Sequence, residues 1–196
     1  MPVSRILAAA LALAALPAAS QPAVSQTARV RADAPRILFA VADTVKLDDG
    51  TVGPVVTRLT YDPVAGIYVS EMTTGDRVLR RVEHATSNAG PTDAEAATAQ
   101  ALVREHPGLG RLIAEAEGDV HVEGGFPLVR EVGHACGPGG RCVMMDVFTA
   151  DGEDRHRLAF VVVDLRAVRV LDADADPDAE TNFANPAVRR HSRRRR

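Results

Sequence analysis

The two cysteines of the chain, Cys136 and Cys142, flank the run Gly-Pro-Gly-Gly-Arg, and His134 lies two residues before the first of them. Two thiols beside an imidazole can close a disulfide, hold a metal or act as a redox or nucleophilic centre. Three glycines and a proline between the cysteines let the backbone turn back on itself, so the pair is expected to close as a disulfide. Cys-x5-Cys is not a standard metal spacing and no second ligand pair follows it. The Cys-x-x-Cys of thiol oxidoreductases is also missing. An imidazolium at His134 would lower the pKa of a neighbouring thiol and activate it, but oxidation competes for the same sulfur. A metal-handling or redox protein centred on His134, Cys136 and Cys142 is therefore the alternative reading, and no cofactor is implied by the leading one.

Other residues that carry chemistry lack the spacing to use it. His84, His106, His121, His134, His156 and His191 are scattered, with neither the i, i+4 pair nor the His-Glu-x-x-His of a helical metal site. No Gly-x-Ser-x-Gly or Ser-x-x-Lys sets up a serine nucleophile, so the catalytic set is expected to be empty. The alternating acids Asp172, Asp174, Asp176, Asp178 and Glu180 suggest a hard cation. Counted as an EF-hand from Asp172, however, Pro177 takes the place of the glycine and Phe183 that of the closing glutamate. Arg189, Arg190, Arg193, Arg194, Arg195 and Arg196 form a basic terminus suited to an anionic envelope surface, where each arginine contributes on the order of 1 kcal/mol.

Compartment decides how the cysteines are read. Arg5 supplies a positive start, Ile6 to Leu16 an apolar stretch, and Pro17-Ala18-Ala19-Ser20 the small residues of a cleavage point, so residues 1–20 read as a signal peptide cut before Gln21. The apolar stretch is shorter than the roughly 20 residues that span a bilayer, and no transmembrane span is expected. Arginine outnumbers lysine 22 to one, which points to a GC-rich bacterial coding sequence and a periplasmic or secreted product. In that oxidising setting a cysteine pair normally closes.

Charge and composition narrow the partners. The net charge of the 196 residues is -3, but six of the arginines sit in the terminal cluster and Arg5 in the leader, leaving a folded body of about -10. Such a body repels polyanions, and with aromatic residues at only 4% the chain lacks the stacking platforms of nucleic-acid binders, which argues against that class. Its core must be built from Val, Leu, Ile and Ala.

The elements that position these residues follow from periodicity. Residues 21–35 are polar and aperiodic and are expected to be a flexible leader. Residues 36–86 read as an antiparallel β-meander: Ile37–Leu47, the turn Asp48-Asp49-Gly50, Val52–Tyr61, a turn at Asp62–Gly66, Ile67–Met72, and Val78–His84 after Gly75-Asp76. Thr92-Asp93-Ala94-Glu95 is a capping box that starts a helix running to about His106. After Pro107-Gly108, Leu109, Leu112, Ile113 and Ala116 repeat at i, i+3, i+4 and i+7, giving a second helical segment that ends at Gly118. Strands are expected at Val120–Val122, Leu128–Val132, Cys142–Phe148, His156–Leu165 and Val168–Leu171, with Leu158–Val163 central and buried. Residues 172–196 are expected to be a disordered tail, acidic and then arginine-rich. The fold class is α+β: a meander followed by a helix packed on an antiparallel sheet over residues 87–171.

Ala101-Leu102-Val103-Arg104-Glu105-His106-Pro107-Gly108, Phe148-Thr149-Ala150-Asp151-Gly152 and Val161-Val162-Val163-Asp164-Leu165 before Val168-Arg169-Val170-Leu171 carry a resemblance. Over residues 92–171 the chain resembles the PepSY and cystatin-like modules of exported bacterial proteins, including the N-terminal modules of secreted amine oxidases. It departs from them where Arg166-Ala167 replaces the Thr-Gly turn usual in PepSY modules. The resemblance implies a non-enzymatic binding or inhibitory domain outside the cytoplasm, with an envelope protein or peptide as its partner.

Overall fold

The computed structural model describes residues 29–151 and 154–175. Strands β1 (Arg36–Lys46), β2 (Val52–Asp62), β3 (Ile67–Thr74) and β4 (Arg77–His84) form one antiparallel sheet in the order β1-β2-β3-β4, the meander expected from the turn residues. Local side chains fix those turns. Asp49 Oδ1 accepts from the Thr51 amide at 2.9 Å and from its hydroxyl at 2.6 Å, and Asp62 Oδ1 accepts from the Val64 and Ala65 amides at 2.9 and 3.0 Å.

The capping box forms as its spacing requires: Thr92 Oγ1 accepts from the Glu95 amide at 3.2 Å, and Glu95 Oε2 accepts from the Thr92 amide at 3.1 Å. It starts helix α1 (Asp93–Glu105). His106 then closes α1 and opens α2 (Pro107–Glu115), its Nδ1 accepting from the Leu109 amide at 3.4 Å, with Pro107 in the first turn where an amide donor is not needed. The second segment therefore stops three residues short of Gly118.

Strands β5 (Val120–Leu128), β6 (Cys142–Asp151), β7 (Asp154–Asp164) and β8 (Arg169–Asp172) form a second antiparallel sheet in the order β5-β6-β7-β8. The expectation of separate strands at Val120–Val122 and Leu128–Val132 is corrected. Gly124-Gly125 does not break the strand but bulges it, with a register shift between Gly124 and Phe126, and residues 129–132 belong to the loop that follows. Gly124 takes φ +120°, and a Cβ there would sit 2.7 Å from the Met144 carbonyl oxygen, so only glycine fits this close approach.

Both helices pack on one face of this sheet. Ala99, Val103 and Leu109 bury against Val122, Val143, Met145, Val147, Ala159, Val161, Val163 and Leu165, the main core. Val162 points the other way, into a smaller cluster with Leu128, Ala175 and the two cysteines, so β7 is buried on both faces at this end, as its apolar run requires. The first residues of the acidic tail are held rather than free. Asp172 ends β8, and the Ala175 amide donates to the Phe160 carbonyl at 2.8 Å. Within the stretch expected as a leader, the Val30 amide donates to Thr98 Oγ1 at 3.0 Å and Arg29 pairs with Glu105, both on α1.

The first sheet has a thin core of its own, Leu38, Leu59, Tyr61 and Tyr68, and it joins the rest of the protein through a buried polar seam. Arg141, 2% exposed, donates to Glu95 through Nε at 3.1 Å and Nη2 at 2.7 Å, and to the Ala89 and Gly90 carbonyls at 2.7 and 2.8 Å. Arg36 Nη1 lies 3.3 Å from the same carboxylate and donates to the Leu165 carbonyl. The Tyr61 and Tyr68 hydroxyls donate to the Gly139 and Gly140 carbonyls at 2.9 and 2.5 Å. Gly139, at φ +81°, passes so near Gly66 that a Cβ would meet its carbonyl oxygen at 2.9 Å. From the other side Arg166 Nε donates to the Pro63 carbonyl at 2.9 Å. Arg166 is aimed by a tight turn in which Asp164 Oδ1 accepts from the Arg166 and Ala167 amides. That turn forces Val168 to φ +53°, a left-handed conformation that costs a β-branched residue about 1–2 kcal/mol.

Burial depresses the Arg36 guanidinium, with Glu95 opposing it, while at Arg141 the burial penalty is outweighed by the bonded carboxylate and the pKa is raised. Removing the charge of Glu95 should therefore strand two buried cations. Glu95→Gln is expected to cost about 3–5 kcal/mol in urea unfolding, against less than about 1 kcal/mol for Glu71→Gln in the exposed Glu71–Arg81 pair. Equal losses would show that the seam is not the anchor.

Burial raises both tyrosine pKa values. The folded state thus holds phenolic protons that the unfolded chain releases from about pH 10, so stability is intact below that pH and falls as pH rises through and beyond it. Because these are the only tyrosines and the chain has no tryptophan, tyrosinate absorbance reports on the seam alone. It should rise together with the loss of sheet circular dichroism, and not before it.

Candidate binding face

Cys136 and Cys142 are joined in a disulfide, with Cα atoms 5.3 Å apart, and both are buried. The loop they close carries Gly139, Gly140 and Arg141 into the seam, and the Arg130 amide donates to the Cys136 carbonyl at 2.9 Å. His134 Nδ1 accepts from the Cys136 amide at 3.0 Å. The bond leaves no thiolate at either cysteine, so the alternative set of His134, Cys136 and Cys142 offers neither metal-binding sulfur nor a nucleophile in this state. Among the described residues no group of three or more His, Cys, Asp or Glu side chains could hold a metal ion. Residues 1–20, expected as a signal peptide, the acids from Asp176 to Glu180, and Arg189, Arg190, Arg193, Arg194, Arg195 and Arg196 lie outside the described residues.

Chemistry-bearing side chains gather on the face of the second sheet turned away from the helices. Strand alternation puts valines of β5, β6 and β7 on the helix side, and it puts His121, Glu123, Asp146, Phe148, Arg155 and Arg157 together on the other. Phe148 is the floor. His121 stacks on its ring with centroids 5.1 Å apart, and the Arg155 guanidinium lies 3.6 Å from the centroid, a cation–π contact. Arg155 Nη2 donates to Glu123 at 2.7 Å, while Arg157 grips Asp146 with two bonds, Nε at 2.6 Å and Nη2 at 3.0 Å. Asp146, Phe148, Arg155 and Arg157 line a shallow dish of about 300 Å³.

Further along the same face, Phe126 pairs with Met144 in the β5–β6 register and is 68% exposed. Three of the five phenylalanines, Phe126, Phe148 and Phe160, thus share one sheet face with two arginines. Such pairing of aromatic rings and arginine is the chemistry enriched at protein interfaces. The ion pairs over the dish are exposed, and exposed pairs contribute about 0.2–1 kcal/mol each, so an incoming carboxylate can displace Glu123 or Asp146 at little cost.

From the sequence these residues do not stand out as a group: His121 is one of six scattered histidines and Phe148 falls in a hairpin motif. The signal lay in β7, where Arg155 and Arg157 alternate ahead of an apolar run, but register alone places them beside Phe148. No family model matches the chain, and no curated protein sequence matches it. Among the described residues no helix is long and apolar enough to cross a membrane.

The disulfide has a measurable weight. Replacing both cysteines by alanine should cost about 2 kcal/mol, the chain-entropy value for so short a loop. Native protein should also weigh two hydrogen atoms less than the reduced form by intact mass spectrometry.

Proposed function

We propose that the chain is an exported, non-enzymatic binding module of the bacterial cell envelope, which engages a protein or peptide segment through the outer face of its second sheet. The observation that carries this reading is the Phe148 dish with the exposed Phe126 beside it: an aromatic and arginine-rich face built on rigid strands. The closed cysteine pair supports an oxidising compartment. The order of helix and antiparallel sheet over residues 92–171 supports the PepSY and cystatin-like resemblance. The residues that carry it fall at the α1–α2 junction, at the β6–β7 hairpin and in β7 and β8. On that reading the module is of the peptide-binding or protease-inhibitory kind.

In this mode a partner segment lays an apolar side chain against Phe126 and offers a carboxylate to Arg155 or Arg157, taking over bonds now made by Glu123 and Asp146. Immobilised protein should retain such a partner from an envelope fraction. Phe126→Ser combined with Arg157→Glu should weaken retention of that same partner about tenfold or more, as loss of an aromatic or arginine anchor does. Val132→Ser, which changes an exposed apolar residue in the loop after β5, should leave it unchanged. A partner held equally by all three proteins would refute the reading.

A further inference from the structure

The far end of the first sheet, remote from the seam, holds a second cleft of about 250 Å³ between the β1–β2 hairpin and the β3–β4 hairpin. Leu47, Met72 and Leu79 make its apolar floor, each of them half-buried. Three cations, Lys46, Arg77 and Arg80, stand around it, all exposed. Among the described residues neither Lys46 nor Arg80 has an ion-pair or hydrogen-bond partner, in contrast to Arg155 and Arg157 on the other sheet. Asp49, which also lines the cleft, is occupied by the amide and hydroxyl of Thr51. With Asp48 included, the lining carries a net charge of +1, in a body that is otherwise strongly acidic.

We propose that this cleft binds a carboxylate carried on a short apolar chain, with the chain on Leu47, Met72 and Leu79 and the carboxylate between Lys46 and Arg80. The volume falls just below the roughly 300–1,000 Å³ typical of sites for drug-sized ligands, which limits the occupant to one apolar side chain or a few carbons. Apolar surface alone would accept a neutral group as readily. The two unpaired cations at the rim supply the preference for an anion, because a carboxylate there gains charge-assisted hydrogen bonds without breaking an existing pair. An isolated fatty carboxylate and the free C-terminus of a peptide ending in an apolar residue share this chemistry.

The test is an NMR titration of the full mature protein with hexanoate, hexanamide, acetyl-Ala-Leu and its C-terminal amide. Both acids should shift the amides of Leu47, Met72 and Leu79, with each amide ligand binding about fivefold or more weakly, and added salt should narrow that gap. Lys46→Gln with Arg80→Gln, both at exposed positions, should abolish the preference for acid over amide while leaving the rest of the spectrum unchanged. Tighter binding of hexanoate than of the peptide acid assigns the site to free carboxylates, and the reverse assigns it to peptide termini. Equal binding of acid and amide, shifts elsewhere in the protein, no binding, or an unaltered double variant would overturn the proposal. Phe126→Ser, on the other sheet, should bind all four ligands as the native chain does, which keeps this result separate from the fate of the proposed partner face.

Discussion

The architecture depends on one carboxylate. Glu95 is the third residue of α1, and its side chain does three things at once: it caps the backbone amide of Thr92, receives two bonds from Arg141 and faces Arg36. Each partner comes from a different part of the chain, so this group ties the start of β1, the start of α1 and the end of the disulfide loop to one point. A carboxylate with no exposure must have every acceptor site filled, and these donors fill it. The arrangement is unbalanced in charge, with two guanidinium groups for one carboxylate. Arg36 keeps two nitrogens without a hydrogen-bond partner among the described residues, although its guanidinium sits 5.1 Å from the centre of the Tyr61 ring. The π face of Tyr61 supplies some of the attraction that a second acid would have given.

This seam explains why the two sheets can differ so much in composition. The second sheet has a close-packed core of valines under two helices and would be held by hydrophobic burial alone. The first has few buried apolar side chains, yet it is fixed by directional bonds from Tyr61, Tyr68, Arg141 and Arg166 to main-chain carbonyls. Hydrogen bonds of this kind are weaker in net stability than burial, but they set orientation. The disulfide belongs to the same device. By closing the loop from Cys136 to Cys142, it holds the glycine carbonyls where the tyrosine hydroxyls need them, which is a reason for a cystine so near the interior of a small domain.

Much of the fold was legible in the residues themselves. Asp49-Gly50 and Asp62 to Gly66 announced the hairpins, Thr92 and Glu95 the helix, and the apolar run in β7 its burial, because each of these signals acts within a few residues of itself. What failed were features that depend on distant partners. Gly124-Gly125 looks like a break until β6 is seen to pair continuously across it, and residues 129–132 look like a strand until the loop is seen to need them. The capping role of Glu95 was readable from spacing. Its second role as the partner of Arg141, 46 positions away, was not, since nothing in a Gly-Gly-Arg-Cys run distinguishes a buried arginine from a surface one. The cluster on the outer face of the second sheet was hidden for the same reason: Phe148, His121 and Arg155 belong to three strands and meet only through register.

The two surfaces argued for differ in what their charges are doing, and this difference bears on their use. On the second sheet every cation around the dish already holds an acid, so the face is neutral, pre-ordered and suited to exchanging one carboxylate for another as a large partner settles on it. Exchange of this kind gives little energy per pair, and in the proposed mode affinity must come chiefly from the exposed ring of Phe126. At the tip of the first sheet Lys46 and Arg80 are unengaged and the apolar floor is small, so in the proposed cleft charge selects and burial contributes less. The sheets thus present a broad face and a narrow cleft at separate places, with the polar seam between them fixing how far apart they lie. A chain this poor in aromatic residues sets three of its five phenylalanines on one face of the second sheet beside Arg155 and Arg157, and that concentration favours the proposed role in contact with a partner.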